Sequence, residues 1–299
     1  MNVKPGNDKR RNEVRIAVVQ MNPVFGEKET NIKRMLDFID KASEKRADLI
    51  VFPELCNTGY MFKNRSELAR LSEEIPAGDT VKAWTVKAKE NNVYIIAGLA
   101  EKEDGKLYNS AVLIGPEGYL GKYRKCHLWY KEKLIFEPGN LGLPVFDLPF
   151  ARLGIQICYD FYFVEGTRIL ALKGADIVVV STNWPAGKPE ATWDEKGYCM
   201  GNYRAMVHSN ANKIYVACAN RIGNERGQLF SGCSIVTGPN GWPISGPAAK
   251  DREEILYADI DIEEGRRIRL LNLDENLRER RCDLYDEMLG YHEVAREPR

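Results

Sequence analysis

The sequence lacks several features that would assign it to a specialised class of protein. Its 299 residues carry 43 basic and 43 acidic side chains, so no net charge attracts it to nucleic acid or to anionic membranes. Its longest apolar runs, such as residues 177–180, are far too short to cross a bilayer. The N-terminal segment is polar and has no apolar stretch of the secretory-signal type, so we expect a cytoplasmic protein.

Cysteine and histidine are too scattered to predict a metal or disulfide framework. The seven cysteines are odd in number and show no Cys-x-x-Cys spacing, which favours reduced thiols. Only three histidines are present. The one adjacent Cys-His pair, Cys126 and His127, would point its side chains apart if it lay on a strand. We therefore expect no metal site.

Strand-like and helix-like segments alternate along the chain, with no linker rich in Pro, Gly or Ser. Apolar spacing predicts helices over residues 31–45, 79–91, 167–173 and 203–212. Runs rich in β-branched or apolar residues predict strands over 14–20, 47–55, 93–101, 153–160, 175–185, 213–223 and 255–262, with hairpins at 115–118 and 232–244. This alternation predicts an α/β protein with one domain.

The domain is expected to cover residues 14–262. A flexible polar tail, residues 1–13, is expected before it. Residues 263–299 are highly charged with scattered apolar side chains, which predicts a surface helix or an arm that packs on a partner subunit.

Three chemically reactive side chains follow predicted strands. Glu54 closes an apolar run, Lys125 follows the first hairpin, and Cys158 ends the run GIQIC. Strand ends in α/β proteins converge on one edge of the sheet, so these residues are expected to meet there. A thiolate is a competent nucleophile, a carboxylate can take the thiol proton, and an ammonium group can stabilise an oxyanion. Together they predict acyl transfer through a thioester.

Each of these residues also has an ordinary structural interpretation. Glu54 could lie on the surface or near a helix start, Lys125 belongs to a basic cluster, and Cys158 could simply pack in the core. Imidazole is the usual activator of a thiol, so His127 is a second candidate for the base. Mechanistic reasoning from the residues alone does not choose between His127 and Glu54.

At these positions the chain resembles the nitrilase superfamily, the carbon–nitrogen hydrolases. The resemblance covers about residues 14–260 and rests on FPELCNTGY (52–60), KYRKCHL (122–128) and GIQICYDFYFVEG (154–166), in that order. Four further segments support it: YNSAVLIGPEGYLGKYRK, FEPGN, YVACANRIG and SGCSIVTGPNG. The family implies a four-layer α-β-β-α sandwich that is extended by dimerisation. The helix after Cys158 and the helix over 203–212 would form the interface, with the charged arm reaching onto the partner.

The resemblance also implies a role for individual residues. Glu54 matches the general base, Lys125 the lysine that stabilises the tetrahedral intermediate, and Cys158 the nucleophile. Glu132 matches the second glutamate of the family, with Glu137 as the alternative. By the same resemblance His127 would be a structural neighbour of the lysine.

Substrate contacts are expected from residues near these motifs. The backbone N–H of Tyr159 would complete the oxyanion hole with the lysine. The wider set of candidates, for which ordinary packing is the alternative at the aromatic positions, is Tyr60, Trp129, Tyr159, Phe161, Asn183 and Trp184. We expect no cofactor, because this chemistry needs only a thiol, a carboxylate and an ammonium group.

The residues after the cysteine favour amide hydrolysis within the family. Cys-Tyr-Asp at 158–160 is similar to amidases and carbamoyl hydrolases, whereas true nitrilases tend to have Cys-Trp-Glu. The segment 163–165, Phe-Val-Glu, departs from the usual Phe-Pro-Glu. The expected function is an amidase for small aliphatic or ω-type amides. The first alternative is an N-carbamoyl-amine hydrolase, because residues 208–223 are similar to those of N-carbamoylputrescine amidases. The second is an aliphatic nitrilase. The alternative that is not an enzyme is an inactive scaffold of the same fold.

Overall fold

Two six-stranded β-sheets stacked face to face form the centre of the protein, which a computed structural model describes over residues 13–270 and 276–289. The first sheet contains β1 (Glu13–Gln20), β2 (Leu49–Val51), β3 (Tyr94–Glu103), β4 (Lys106–Gly115), β5 (Gly118–Arg124) and β15 (Glu254–Asp261), in the spatial order β15-β1-β2-β3-β4-β5. The second contains β6 (Val145–Asp147), β7 (Arg152–Ile157), β8 (Ile177–Ser181), β10 (Tyr215–Ala219), β13 (Ile235–Thr237) and β14 (Pro243–Ser245), in the order β14-β13-β10-β8-β7-β6.

Helices cover the outer face of each sheet. These are α1 (Lys28–Glu44) and α3 (Asp79–Asn91) on the first sheet, and α4 (Val164–Leu172) and α6 (Met200–Asn212) on the second. Strand β1 shows why both faces are buried: Ile16 and Val18 pack in the cluster between the sheets, whereas Ala17 and Val19 pack in the cluster under α1 and α3. Successive side chains of a strand point to opposite faces, so a continuous apolar run suits this position. The predicted four-layer α-β-β-α sandwich is confirmed.

Smaller elements connect and flank these layers. The remaining helices are α2 (Arg65–Leu71), α5 (Pro189–Thr192), α7 (Ile262–Arg269) and α8 (Cys282–Leu289), with 3₁₀ turns at η1 (Tyr130–Leu134) and η2 (Cys158–Tyr162). A third, three-stranded sheet consists of β9 (Pro185–Ala186), β11 (Asn224–Glu225) and β12 (Gln228–Phe230). Within residues 13–270 and 276–289, none of these helices combines the length and hydropathy that a membrane span requires.

The predicted elements are present, with shifts at their ends. Helix α3 has the predicted bounds, whereas α4 begins at Val164, three residues earlier than expected. Strand β2 ends at Val51 and β7 at Ile157, because the chain turns before Glu54 and at Cys158, which has a φ of 45°. The predicted N-terminal tail lies outside the described residues except for Glu13, which begins β1.

The first part of the predicted C-terminal arm packs on its own chain. Helix α7 is held there by Arg266, whose Nη2 lies 2.7 Å from Asp176 Oδ2, and by Arg269, whose Nη2 lies 3.3 Å from Asp176 Oδ1. Helix α7 is thus bound to its own chain, so the predicted contact of the arm with a partner subunit applies, within the described residues, to 276–289.

Gly98 on β3 allows the turn that carries Glu54 to approach the sheet closely. A Cβ atom at Gly98 would lie 2.6 Å from Leu55 N, 2.7 Å from Glu54 Cα and 2.8 Å from Pro53 O. The backbone of Gly98 also accepts a hydrogen bond from Cys56 N and donates one to Pro53 O. All three nearest atoms belong to the backbone, so any side chain here must displace the turn.

We expect Gly98→Ala to lower the free energy of unfolding by about 1–3 kcal/mol, because the backbone has to shift to admit the methyl group. Urea denaturation of the variant and the wild type measures this loss. Gly187→Ala is the matched control, since its Cβ would meet only Thr192 Oγ1, at 3.9 Å. A Gly98→Ala protein as stable as the Gly187→Ala protein would contradict the steric argument.

Candidate active site

The ends of three strands bring Glu54, Lys125 and Cys158 together between the two sheets. Glu54 follows β2, Lys125 follows β5 and Cys158 follows β7. All three are buried, with 0%, 1% and 6% of their surfaces exposed. The two sheets are also linked here, because Asn183, just after β8, donates from Nδ2 to the backbone oxygen of Glu54 at 2.8 Å.

Lys125 is the centre of the polar contacts in this site. Its Nζ donates to Glu54 Oε1 at 2.7 Å and to both Oε1 and Oε2 of Glu132 at 2.8 Å. Asn109 on β4 joins the same two carboxylates, since its Nδ2 lies 2.7 Å from Glu54 Oε1 and 3.1 Å from Glu132 Oε1. One buried cation therefore holds two glutamates in fixed positions.

Burial and charge change the protonation of the site. Burial raises the pKa of Glu54 to about 7, although the ammonium of Lys125 opposes the rise. Burial alone would lower the pKa of Lys125, but the charges of Glu132 and Glu54 outweigh it and raise that pKa. Burial and the charge of Glu54 raise the pKa of the Cys158 thiol to about 12, with Lys125 acting in the opposite direction. Near neutral pH the thiol is therefore protonated, and Glu54 is divided between a carboxylate, which can accept a proton, and a carboxylic acid.

The structure separates the two candidates for the second glutamate. Glu132 lies in η1 with 5% of its surface exposed, and its Oε2 accepts a hydrogen bond from Trp129 N at 2.5 Å. Glu137 instead lies at the surface, where its Oε1 is 3.0 Å from Arg65 Nη2. Only Glu132 reaches Lys125.

His127, the other candidate for the base, makes its hydrogen bonds to a different residue. Both its backbone N and its ring Nδ1 lie 2.8 Å from Asp160 Oδ1. Its imidazole also stacks on Phe163, with the ring centroids 3.8 Å apart. The structure therefore groups His127 with Asp160 and Phe163, and groups Glu54 with Lys125.

Two of the predicted substrate-contact residues line a cleft beside the ion cluster. The cleft has a volume of about 370 Å³, and Tyr60, Trp129 and Glu132 contribute to its wall. The ring centroid of Tyr60 lies 6.0 Å from Lys125 Nζ. Asn183 is buried beside Glu54, and its Oδ1 has no hydrogen-bond partner within the described chain. Tyr60, Trp129 and Asn183 thus all lie beside the ion cluster.

The side chains of the other three predicted contacts, Tyr159, Phe161 and Trp184, do not line this cleft. The side chain of Tyr159 lines a neighbouring cleft of about 500 Å³ with Cys126 and His127. Phe161 is fully buried in the core, with its ring centroid 4.4 Å from that of His208. Trp184 is also buried, and its ring packs so tightly on α6 that a Cβ at Gly201 would lie 2.4 Å away. Both rings thus pack in the core, although the indole Nε1 of Trp184, like Asn183 Oδ1, has no hydrogen-bond partner among the described residues.

Asn109 is a site residue to which the sequence interpretation gave no role. It lies on β4 between Tyr108 and Ser110, and 1% of its surface is exposed. Buried polar side chains are normally hydrogen-bonded, so the polar pair Asn109-Ser110 at the start of the apolar run 111–114 was the available signal.

Comparisons with known proteins find similarity along most of the chain. The sequence profile described as "Carbon-nitrogen hydrolase" matches residues 15–270. The chain is 41% identical over 273 residues to a protein named nitrilase from Pyrococcus abyssi, covering 91% of this chain and 99% of the relative. It is 32% identical over 283 residues to the omega-amidase NIT2 of Homo sapiens, covering 91% and 96%. The crystal structure of an amidase from Nesterenkonia sp. superimposes with a TM-score of 0.77 at 26% identity, covering 95% and 100%.

The raised pKa of Glu54 leads to a prediction about stability. The protonated form is favoured in the folded state, so its contribution is complete below the ordinary pKa of 4.5 and is lost as the pH rises towards about 7. We expect the stability of the wild type relative to Glu54→Gln to fall across this window, at up to about 1.4 kcal/mol per pH unit. Urea denaturation at several pH values measures the difference. Glu137→Gln at the surface is the control, and a difference for Glu54→Gln that does not vary with pH would contradict the assignment.

Proposed function

The chain belongs to the carbon–nitrogen hydrolase family, and we propose that it is an amidase that converts small aliphatic or ω-type amides to a carboxylic acid and ammonia. The observation that carries the proposal is the contact of Lys125 Nζ with both Glu54 and Glu132 beside a buried thiol. Similarity to relatives named omega-amidase, and to a crystal structure of an amidase, supports the choice of amides.

In the first half of the reaction, Cys158 Sγ attacks the amide carbon while its proton passes to Glu54. The carbonyl oxygen becomes an oxyanion, which the ammonium of Lys125 and the backbone N–H of Tyr159 stabilise. Glu54 then returns the proton to the nitrogen, the C–N bond breaks, and ammonia leaves. The acyl group remains on sulfur as a thioester.

The second half uses the same groups with water as the nucleophile. Glu54 takes a proton from water, the hydroxyl oxygen adds to the thioester carbon, and the C–S bond breaks. The sulfur recovers its proton from Glu54 as the carboxylic acid forms. In this scheme Glu132 holds the Lys125 ammonium in position throughout.

Two buried acceptors favour an amide over a nitrile as substrate. In the part of the chain that the structure describes, Asn183 Oδ1 and Glu54 Oε2 have no hydrogen-bond partner. A buried acceptor without a donor is costly, and the –NH₂ group of a primary amide provides two donors. A nitrile nitrogen provides none. We therefore propose that the –NH₂ group of the substrate donates hydrogen bonds to these acceptors.

The test is ammonia release from a panel of small amides, N-carbamoyl amines and aliphatic nitriles. We expect turnover of amides, reduced at least about a thousandfold by Cys158→Ala because the nucleophile is lost. Cys126→Ala, a cysteine in the neighbouring cleft, is the matched control and should retain activity.

Other outcomes of the panel would change the assignment. Faster turnover of N-carbamoyl amines or nitriles would keep the mechanism and replace the substrate class. No release from any compound would favour the inactive scaffold.

We also propose that the protein is a homodimer that associates through α4 and α6. These helices expose apolar side chains to solvent, among them Val164, Ile169, Leu172, Met200, Tyr203 and Val207. Asn276 and Tyr285, from the predicted arm, line a cleft of about 490 Å³ with the same helices, so the arm would lie beside this interface. Because α4 and α6 are neighbours, their exposed apolar side chains lie on one side of the protein, and exposed apolar surface of this kind commonly marks an interface.

We expect Val207→Asp to shift the protein from dimer to monomer, because it places a charge in the apolar interface. Light scattering during size-exclusion chromatography measures the mass of each species. Val207 is 62% exposed, and Val86→Asp is the matched control because Val86 is 57% exposed but lies on α3 of the opposite layer. A Val207→Asp protein that remains dimeric would contradict this choice of interface.

A reducing location also suits the proposed chemistry. All seven cysteines lie in the described part of the chain and none forms a disulfide there. The nucleophile must be a reduced thiol, so we propose that the enzyme acts in the cytoplasm.

A further inference from the structure

The turn that carries Cys158 has a backbone conformation that other contacts must stabilise. Strand β7 ends at Ile157, and Cys158 then adopts a φ of 45° at the start of η2. The left-handed region costs a residue with a side chain about 1–2 kcal/mol, so it persists only where the surroundings enforce it.

Asp160 provides these contacts with both of its carboxylate oxygens. Its Oδ2 accepts from Ile157 N at 3.2 Å and from the Tyr123 hydroxyl at 2.8 Å. Its Oδ1 accepts from the backbone N of His127 and from the His127 ring at 2.8 Å each, where Nδ1 must carry the proton because an ionised carboxylate only accepts. Four donors thus converge on a side chain of which 1% is exposed.

The donors come from the two segments whose spacing matters for the reaction. Ile157 precedes the nucleophile, whereas Tyr123 and His127 lie two residues before and two residues after Lys125. The turn around Cys158 is therefore bonded to the chain on both sides of the lysine by one carboxylate.

We infer that Asp160 is a positioning residue that fixes Cys158 relative to Lys125, an inference that rests on the proposed function. It touches neither the substrate nor the reacting atoms in the scheme above. The geometry matters because a misplacement of about 1 Å can cost on the order of a hundredfold in rate. Sites of this kind depend on neighbouring residues to hold the reacting groups within about 0.5 Å.

A carboxylate is better suited to this position than an amide. Four N–H or O–H groups point at Asp160, and an ionised carboxylate can accept all of them. In Asp160→Asn the –NH₂ group would face two of those donors, so two hydrogen bonds are lost without a change of shape.

We expect Asp160→Asn to lower kcat ten- to a hundredfold while KM stays within about threefold, since substrate binding is retained and only the reacting groups move. Steady-state kinetics with the best amide of the panel measures both constants. Tyr123→Phe removes one donor and keeps the ring, so a smaller loss of kcat is expected. A kcat within twofold of the wild type for Asp160→Asn, or a loss confined to KM, would overturn the inference.

Two further measurements keep the test decisive. If Asp160→Asn does not fold, the double variant Tyr123→Phe, His127→Ala removes two side-chain donors with Asp160 in place, and the same loss of kcat at constant KM is expected. If the wild type hydrolyses no amide, the rate of Cys158 alkylation by iodoacetamide, with Cys158→Ala as the blank, replaces turnover as the readout. We then expect Asp160→Asn to change that rate at least fivefold, and an unchanged rate would overturn the inference independently of the proposed function.

Discussion

The structure depends on keeping one buried ammonium group between two carboxylates. Removing a charged group from water is costly unless it is paired and hydrogen-bonded, and Lys125 meets that condition through its contacts with Glu54 and with both carboxylate oxygens of Glu132. Those two residues come from the turn after β2 and from η1. An arrangement of the first sheet that moved one of them would remove hydrogen bonds from the buried ammonium, so the ion cluster and the fold stabilise each other.

The second sheet, which carries Cys158 at the end of β7, must also be held in a fixed position against this cluster. Close approach is made possible by Gly98, which lets the Glu54 turn lie directly on β3. Two hydrogen bonds join the C-terminal ends of β2 and β8, which are central strands of the two sheets. Ser181 donates from Oγ to Phe52 O at 2.8 Å, and Asn183 donates to Glu54 O. These directional side-chain hydrogen bonds to backbone oxygens fix the position of one sheet relative to the other. Apolar packing has no preferred direction and would not do so by itself.

Much of this architecture could be predicted, and the exceptions have physical causes. Apolar periodicity identified α3 and the buried strands because each has one regular repeat over many residues. The directions of Tyr159 and Phe161 could not be inferred, since the two-residue alternation of β7 stops at Cys158, where φ becomes positive. The choice of Glu132 over Glu137 depended on the family resemblance, because only tertiary structure shows that one is buried against Lys125 and the other half-buried beside Arg65.

The high pKa of the Cys158 thiol has a consequence for how the protein ages in the cell. Because burial and the charge of Glu54 raise the pKa of this thiol, the thiolate is a minor species there at neutral pH. Peroxides attack the thiolate and hardly attack the thiol, so the resting nucleophile is a poor target for conversion to sulfenic or sulfinic acid. Burial thus gives this cysteine a resistance to oxidative inactivation that an exposed, acidic thiol would not have.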